Sequence, residues 1–288
     1  MAKNHPSKFD LDTAWKDATR LFKDNFGLMA VIAGVFVFLP SAIVILALPE
    51  MAQLGQMGGG EASQEAMQAA VMAFYSEHWL TLLLQLVVQT IGILALLALL
   101  RRHARPTVGE AIGAGFTSVP SYLAVQIIFF VVIFVLAMVL IGITAAIGGV
   151  PLATVGSIVF AVIAFYLLIK FLLAPVVIAM DDVRNPIAAM KASWQLTKGN
   201  SLRLFFFMAM IIIVYLIVAY LVNSVFSLIF ALGGPEVQLF GNAIVSSTIS
   251  ALFTMLLVSI LAAIYVQINR LKGVGARNAA PVDRPTDY

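Results

Sequence analysis

The sequence predicts an all-α, polytopic membrane protein with six transmembrane helices and three cytoplasmic interfacial amphipathic helices, arranged as three pseudo-repeats. Apolar residues form 62% of the chain and charged residues 11%, against roughly 45–50% and about 25% in soluble domains. Six apolar segments reach the roughly 20 residues that a helix needs to cross a bilayer. An amphipathic segment recurs before each pair of apolar segments, which favours a repeat architecture.

The elements are predicted in the repeating order interfacial helix, span and return span. The interfacial helices fall at 9–24, 105–119 and within 181–200, and the spans at 27–48, 79–100, 120–147, 152–180, 203–232 and 240–268. A short helix beginning at Ser63 is predicted after the glycine run 58–60. Residues 1–271 are therefore expected to form a single membrane domain with repeat units of about 9–100, 105–180 and 185–270. The polar residues 272–288 are expected to form a disordered cytoplasmic tail.

The third interfacial segment has the clearest predicted helix boundaries. Asn185 is a favoured N-cap residue, Pro186 suits the first helical position, and Gly199 suits the position that ends a helix. Asn200 could cap the helix that follows. A small-residue face is formed by Ala189, Ser193, Leu196 and Asn200, and the opposite face by Ile187, Lys191, Trp194, Gln195 and Lys198. The first face suits close helix packing, and the second suits the headgroup layer.

The same segment occurs in two weaker copies. Ala14, Lys16, Ala18, Leu21, Lys23 and Asn25 correspond to Ala189, Lys191, Ser193, Leu196, Lys198 and Asn200, and only Ala18 differs from its counterpart. Pro106, Gly109, Gly113, Phe116 and Thr117 correspond to Pro186, Ala189, Ser193, Leu196 and Thr197. The second copy keeps the pattern of small and bulky residues and has lost the lysines.

The distribution of basic residues predicts the orientation. Sixteen of the seventeen Lys and Arg residues, all except Lys170, lie in the termini and in the connections 101–119 and 181–203. The other connections contain acidic residues and no basic ones. Because basic residues remain on the cytoplasmic side, both termini are predicted to be cytoplasmic, in a bacterial cytoplasmic (inner) membrane. Residues 1–25 lack an apolar core, so the first span, rather than a cleavable signal, is expected to direct insertion.

Basic residues and helix-capping asparagines near the inner leaflet are candidate contacts for lipid phosphate. Lys170 lies inside a predicted span, where an ionisable group is a functional hypothesis by default. Its stem could equally carry the ammonium to the headgroups, and Pro175 should kink the helix nearby. The candidates are Lys170, Lys191, Lys198, Asn200, Arg203, Lys23 and Asn25. The alternative is that the asparagines only cap helices and the bases only fix topology.

Polar residues within the predicted spans could line a cavity. The candidates are Gln85, Gln89, Asn223, Ser246, Ser250 and Thr254. Such groups more often form hydrogen bonds between helices, at about 0.6 kcal/mol each on average. The spans that contain Asn223 and Ser246 are expected to face each other through these side chains.

No catalytic, metal or cofactor motif is present in the sequence. The three histidines are scattered, the chain contains no cysteine, and no nucleophile elbow, phosphate-binding loop or dinucleotide fingerprint occurs. A non-enzymatic protein without metal or cofactor is therefore expected. The basic residues follow one membrane face, so nucleic acid is not needed to explain them.

Residues 188–203, AAMKASWQLTKGNSLR, resemble a signature of bacterial membrane proteins. The pattern A-x-x-x-S-W-x-L-x-K-G-N-x-x-R is similar to that of proteins related to the membrane domain of glycerophosphoryl diester phosphodiesterases, and to the YciC-like uncharacterised inner-membrane family. The match rests on Ser193, Trp194, Leu196, Lys198, Gly199, Asn200 and Arg203. In the phosphodiesterase relatives catalysis belongs to a separate soluble domain, so the resemblance implies a membrane module without that enzyme.

Two functions are expected from these observations. The first is a non-enzymatic membrane protein that binds or organises anionic phospholipid or scaffolds protein partners. The alternative is a facilitator or transporter of a small or lipid-like solute, with Lys170 and the polar residues of the last two spans lining its path.

A tag at Tyr288 tests the predicted orientation. In spheroplasts, whose outer membrane is opened while the cytoplasmic membrane stays sealed, the tag is expected to resist added protease, because the charge distribution keeps both termini inside. The tag should be cleaved once the cytoplasmic membrane is permeabilised, and a tag inserted at Gly59 should be cleaved in sealed spheroplasts. Cleavage of the Tyr288 tag in sealed spheroplasts would contradict the orientation.

Overall fold

The computed structural model describes residues 9–48, 50, 64–101 and 106–279, and the secondary structure of these ranges is helical throughout, with short connections. Within these ranges the α-helices are α1 (Leu11–Asp24), α2 (Phe26–Ala33), α3 (Leu39–Ala47), α4 (Gln64–Leu99), α5 (Val108–Ala137), α6 (Ile143–Phe171), α7 (Ala174–Asp181), α8 (Pro186–Thr197), α9 (Ser201–Ala231) and α10 (Pro235–Ala279). Short π-helical turns at Gly34–Phe38 and Met138–Gly142 join α2 to α3 and α5 to α6.

The helices form two compact units. Of the described residues, the first unit contains 9–23, 120–209 and 259–279, and the second contains 24–50, 64–119 and 210–258, apart from the gaps already given. Four helices, α1, α5, α9 and α10, contribute residues to both units.

Five helical segments in the described ranges are long and apolar enough to cross a membrane. They are Phe26–Ala47, Glu65–Leu99, Val108–Asp181, Ser201–Ala231 and Pro235–Gly273. These segments indicate a membrane-embedded protein, as the composition predicts. The number differs from the six predicted spans because α5, α6 and α7 are counted together as one segment of 74 residues.

This 74-residue segment folds back on itself. The rings of Phe129 and Phe171 lie 6.1 Å apart, whereas a straight helix would separate these positions by about 63 Å. The reversal falls at Gly148 and Gly149, whose backbone is not helical, and Gly149 has a φ of 60°. A methyl group at Gly156 would come within 1.9 Å of the Leu140 carbonyl oxygen. The two arms therefore approach as closely as they do because residue 156 is glycine.

In the second unit, α2 and α3 pack against α4. Pro40 lacks the N–H that would bond the carbonyl of Phe36, and the chain passes through a π-helical turn immediately before it. Gly92 of α4 leaves room for the Phe36 side chain. A methyl group at residue 92 would lie only 2.6 Å from the Phe36 Cβ. The Gln89 side chain donates a hydrogen bond to the Ser41 hydroxyl at 3.2 Å.

The structure corrects three predicted boundaries. The helix predicted to begin at Ser63 and the span 79–100 form one continuous helix, α4, because neither glycine nor proline interrupts residues 64–91. The interfacial helix predicted at 105–119 is not a separate element, since α5 continues through Pro120. The polar tail predicted from residue 272 is helical as far as Ala279. The glycine run 58–60, residues 280–288 and Ser63 lie outside the described residues.

The other two interfacial segments are separate helices, as predicted. The helix α1 ends at Asp24 before α2 begins, and α8 ends at Thr197 before α9 begins. In α8 the Asn185 side chain accepts hydrogen bonds from the backbone N–H groups of Ile187 and Ala188, and Gly199 has a φ of 88°. The N-cap and the terminating glycine are therefore confirmed. The predicted small face is also confirmed to be buried at Ala189, Ser193 and Leu196.

Candidate functional site

The site is built around a break between α6 and α7. Pro175 lies in the first turn of α7, and it has no backbone N–H to continue the ladder of α6. The buried Ser193 hydroxyl of α8 bridges the break. It accepts a hydrogen bond from the Leu173 N–H at 3.1 Å and donates one to the Lys170 carbonyl at 2.7 Å. Ser193 therefore satisfies a donor and an acceptor at the interruption and fixes α8 against it.

The Lys170 side chain is held between two aromatic rings. Its Nζ lies 5.3 Å from the centroid of the Tyr166 ring and 5.1 Å from that of the Trp194 ring. The two rings meet edge to face at 5.8 Å, and Phe171 packs against Trp194 from the same helix as Lys170. Tyr166 precedes Lys170 by one helical turn, and Trp194 follows directly after Ser193. The hydroxyl that bridges the helix break thus also positions the indole over the ammonium.

The charge of Lys170 is poorly compensated within the protein. The residue is only 3% exposed, and removing an ammonium from water costs several kcal/mol. Cation–π contacts return about 2 kcal/mol each when desolvated, which offsets part of that cost. Among the described residues, no acidic side chain forms a salt bridge with Lys170.

Two further lysines, Lys198 and Lys272, lie at the C-terminal end of α8, close to Trp194. The Lys272 ammonium donates a hydrogen bond to the Gln195 carbonyl, which also accepts the backbone N–H of Lys198 at 3.3 Å. Electrostatic repulsion acts between Lys170 and Lys198, and between Lys272 and both of them. We call Lys170, Lys198 and Lys272 the lysine cluster.

Two acidic side chains at the end of α7 have other partners. The Tyr265 hydroxyl donates a hydrogen bond to the Asp181 carboxylate, and Asp182 lies 3.4 Å from the Arg184 guanidinium. The lysine cluster is therefore a concentration of positive charge beside an aromatic surface. Chemically, it can hold an anion.

Two predicted phosphate contacts, Asn200 and Arg203, bind the start of α1. The Asn200 side chain accepts the Phe9 N–H at 3.2 Å, and Arg203 donates to the Phe9 carbonyl at 2.9 Å. The Phe9 ring is buried against Phe207. The Asn200 side chain, which was expected to cap α9, thus makes this long-range contact, and both side chains have protein partners.

The remaining predicted phosphate contacts are dispersed. Lys191 is exposed on α8, and Lys23 is exposed in the last turn of α1. Asn25 precedes α2, but its side chain does not form a capping hydrogen bond there. Of the seven candidates, the structure brings Lys170 and Lys198 together and adds Lys272, which the sequence placed in a disordered tail.

The N-terminal end of α1 is capped by Asp10. Its carboxylate accepts the Thr13 N–H at 2.7 Å, and its carbonyl accepts the Gln267 side chain at 3.1 Å. The bond from the Thr13 backbone, followed by that from the Thr13 side chain, lowers the pKa of Asp10 below its ordinary value. The cap therefore stabilises the fold above the unfolded pKa and is lost as the pH falls through the lowered value.

A polar cavity of about 560 Å³ lies between α9 and α10 in the second unit. It is lined by Asn223, Ser224, Ser227, Leu228, Ala231, Gln238, Asn242 and Ser246. Ser246 donates to the Asn223 side chain at 2.5 Å, so the predicted meeting of the two helices through these residues is confirmed. The Asn242 side-chain oxygen is buried and has no hydrogen-bond partner among the described residues.

The other predicted cavity residues do not line this cavity. Gln89 bonds Ser41, and Gln85 lies half-buried one turn before it. The Thr254 hydroxyl bonds the Ser250 carbonyl within α10. Lys170 is also absent from the lining. The path expected to connect Lys170 with the polar residues of the last two spans is therefore not formed by this cavity.

Comparisons with protein-family models, with curated proteins and with solved structures find no match to this chain. The resemblance to the phosphodiesterase membrane domain stays a prediction from residues 188–203. Within the described ranges, no three His, Asp or Glu side chains are grouped so that they could hold a metal ion.

Replacing Ser193 by alanine tests the bridge across the helix break. Ser193→Ala should lower the free energy of unfolding by about 1–3 kcal/mol, because it leaves a buried N–H and a buried carbonyl without this partner. Thermal unfolding of the purified chain in detergent would report the loss as a lower midpoint.

Ser118→Ala is the matched control. Ser118 is 2% exposed, but its hydroxyl bonds only the Ala114 carbonyl one turn earlier in its own helix. Its removal should change the unfolding midpoint much less than Ser193→Ala. Equal midpoints for the two variants would show that the bridge does not stabilise the fold.

Proposed function

We propose that this protein is a non-enzymatic, integral protein of the bacterial cytoplasmic membrane that binds the phosphate of anionic phospholipids through the lysine cluster. The observation that carries the proposal is the nearly complete burial of Lys170 without an acidic partner among the described residues. A lipid phosphate would supply the missing negative charge and would accept hydrogen bonds from an ammonium. Phospholipid is thus the proposed partner.

The proposed membrane arrangement places the cluster in the headgroup layer of the inner leaflet. Trp194 is 36% exposed and Tyr166 is 46% exposed, and both residue types favour the boundary between water and hydrocarbon. The exposed Lys191 and Gln195 of α8, and the exposed Lys198 that follows it, are also suited to that layer. We therefore propose that α1 and α8 lie along the cytoplasmic surface, with both termini inside.

The arrangement includes six crossings in three pseudo-repeats. Counting the two arms that meet at Gly148 and Gly149 as separate crossings raises the number from five to six. In the proposed repeat, Ala14 is equivalent to Ala189 and Ala18 is equivalent to Ser193. All four residues are fully buried. The resemblance of residues 188–203 to a phosphodiesterase-associated membrane domain agrees with a phospholipid context.

The proposal is tested by titrating the detergent-purified full chain with phosphatidylglycerol or phosphatidylcholine and counting bound lipids by native mass spectrometry. The unaltered chain should prefer phosphatidylglycerol. Lys170→Met should weaken phosphatidylglycerol binding by about tenfold or more, because charge-assisted hydrogen bonds contribute about 1.5–3 kcal/mol. The lipid-free Lys170→Met protein should unfold at the same or a higher temperature, since it no longer buries an unpaired charge.

Lys191→Gln is the matched control on α8. A basic residue near an anionic surface contributes about 1 kcal/mol, so this variant should weaken binding by no more than about fivefold. If Lys170→Met and Lys191→Gln weakened binding equally, the attraction would be general to this face and the lysine cluster would not be a site. The absence of any preference for phosphatidylglycerol would contradict the proposed function.

A second candidate function is passage of a small polar solute, which the cavity between α9 and α10 favours. A volume of about 560 Å³ is within the range of small-molecule sites. The unpartnered Asn242 oxygen could accept a hydrogen bond from a hydroxyl or an amine of a solute.

Ser227→Cys tests this alternative, because the natural chain contains no cysteine. If the cavity is part of an aqueous path, a membrane-impermeant thiol reagent should label the variant in intact cells. Leu252→Cys is the control, since this exposed residue lies outside the cavity lining. Failure to label Ser227→Cys from either side of the membrane would exclude an aqueous path through the cavity.

A further inference from the structure

The lysine cluster has more positive charge than a single phosphodiester can balance. Three ammonium groups are associated with the last turn of α8: Lys170 over Trp194, Lys198 as the residue that ends the helix, and Lys272 on the Gln195 carbonyl. Among the described residues, no acidic side chain forms a salt bridge with Lys170 or Lys272. A phosphodiester headgroup carries one negative charge, whereas a phosphate monoester carries about −1.5 to −2 at neutral pH.

The hydrogen-bonding capacity of the cluster also matches a phosphate monoester better than a diester. Each ammonium has three N–H donors, and Lys272 directs one of its donors at Gln195. A phosphate monoester has three terminal oxygens that accept such bonds. In a diester, two of the four phosphate oxygens are esterified, which leaves fewer strong acceptors for three separate donors.

We infer that the lysine cluster selects a phosphate monoester headgroup, of which phosphatidate is the simplest lipid example, over phosphodiester headgroups. This inference rests on the proposed function and assigns the ligand class of the same site. The proposed ligand is a lipid rather than a soluble phosphate, because the Lys170 ammonium lies against the partly exposed rings of Tyr166 and Trp194. An acyl chain can pack on that aromatic surface, while glycerol phosphate offers nothing to cover it.

Lys272 is assigned as the residue that determines this selectivity. Lys170 and Lys198 together can balance a diester, and the third lysine adds a charge that only a monoester uses fully. Lys272 lies on α10, whereas the other two lie on α6 and at the end of α8. Removing Lys272 should therefore weaken binding of the dianionic headgroup more than binding of the monoanionic one.

The test is a native mass spectrometry titration of the detergent-purified full chain with phosphatidate, phosphatidylglycerol and phosphatidylcholine of identical acyl chains. Phosphatidate should bind about fivefold more tightly than phosphatidylglycerol, which corresponds to about one additional charge interaction near a membrane surface. Lys272→Gln should bring the ratio of phosphatidate affinity to phosphatidylglycerol affinity closer to one. Arg270→Gln, which removes an equal charge from an exposed position of the same helix, should leave the ratio unchanged.

The remaining outcomes separate the two proposals. If phosphatidate and phosphatidylglycerol bind equally and both exceed phosphatidylcholine, the monoester inference fails and the proposed function stands. If neither lipid binds more tightly than phosphatidylcholine, both proposals fail.

Glycerol 3-phosphate is added as a competitor at concentrations equal to and well above that of phosphatidate. Displacement of phosphatidate at equal concentration would overturn the assignment of a lipid, and retention of phosphatidate would support it.

Discussion

The Ser193 hydroxyl, which bridges the interruption between α6 and α7, is the contact on which the rest of the site depends. Pro175 interrupts the backbone ladder, and Ser193 supplies both a donor and an acceptor at the gap. Because Trp194 follows Ser193 directly, this bond also sets the indole over the Lys170 ammonium. A structural hydrogen bond and a charged site are therefore built from neighbouring residues of one helix.

Burial of Lys170 beside two other lysines has an energetic cost that an anion would reduce. A lysine that is 3% exposed retains a large desolvation cost, and its two aromatic contacts offset only part of it. Lys198 and Lys272 increase that cost by repulsion rather than reducing it. Three like charges are stable together when an anion joins them. The membrane offers such anions at the depth where tryptophan and lysine side chains reside, which is the physical basis of the proposed lipid site.

Features that depend on neighbouring residues could be predicted from the sequence. The Asn185 cap, the Gly199 terminus and the buried small face of α8 follow from local geometry and 3.6-residue periodicity. Contacts between residues far apart in the chain could not be predicted from the sequence. Asn200 meets Phe9 across 191 positions, and Lys272 reaches α8 from a segment whose composition favours disorder. Helix continuity through Pro120 was missed because a membrane-length helix tolerates an internal proline that local rules treat as a boundary.

The central claim is that a lipid phosphate binds the Lys170 ammonium, and solid-state NMR measures this contact directly. The full chain, with ¹⁵N-labelled lysine side chains, is placed in bilayers containing phosphatidylglycerol, and the Lys170 signal is assigned by its loss in Lys170→Met. Strong ¹⁵N–³¹P dipolar dephasing of that signal is expected, because the ammonium would be hydrogen-bonded to phosphate. A Lys170 signal without ³¹P dephasing, in bilayers where other lysines do dephase, would contradict the claim.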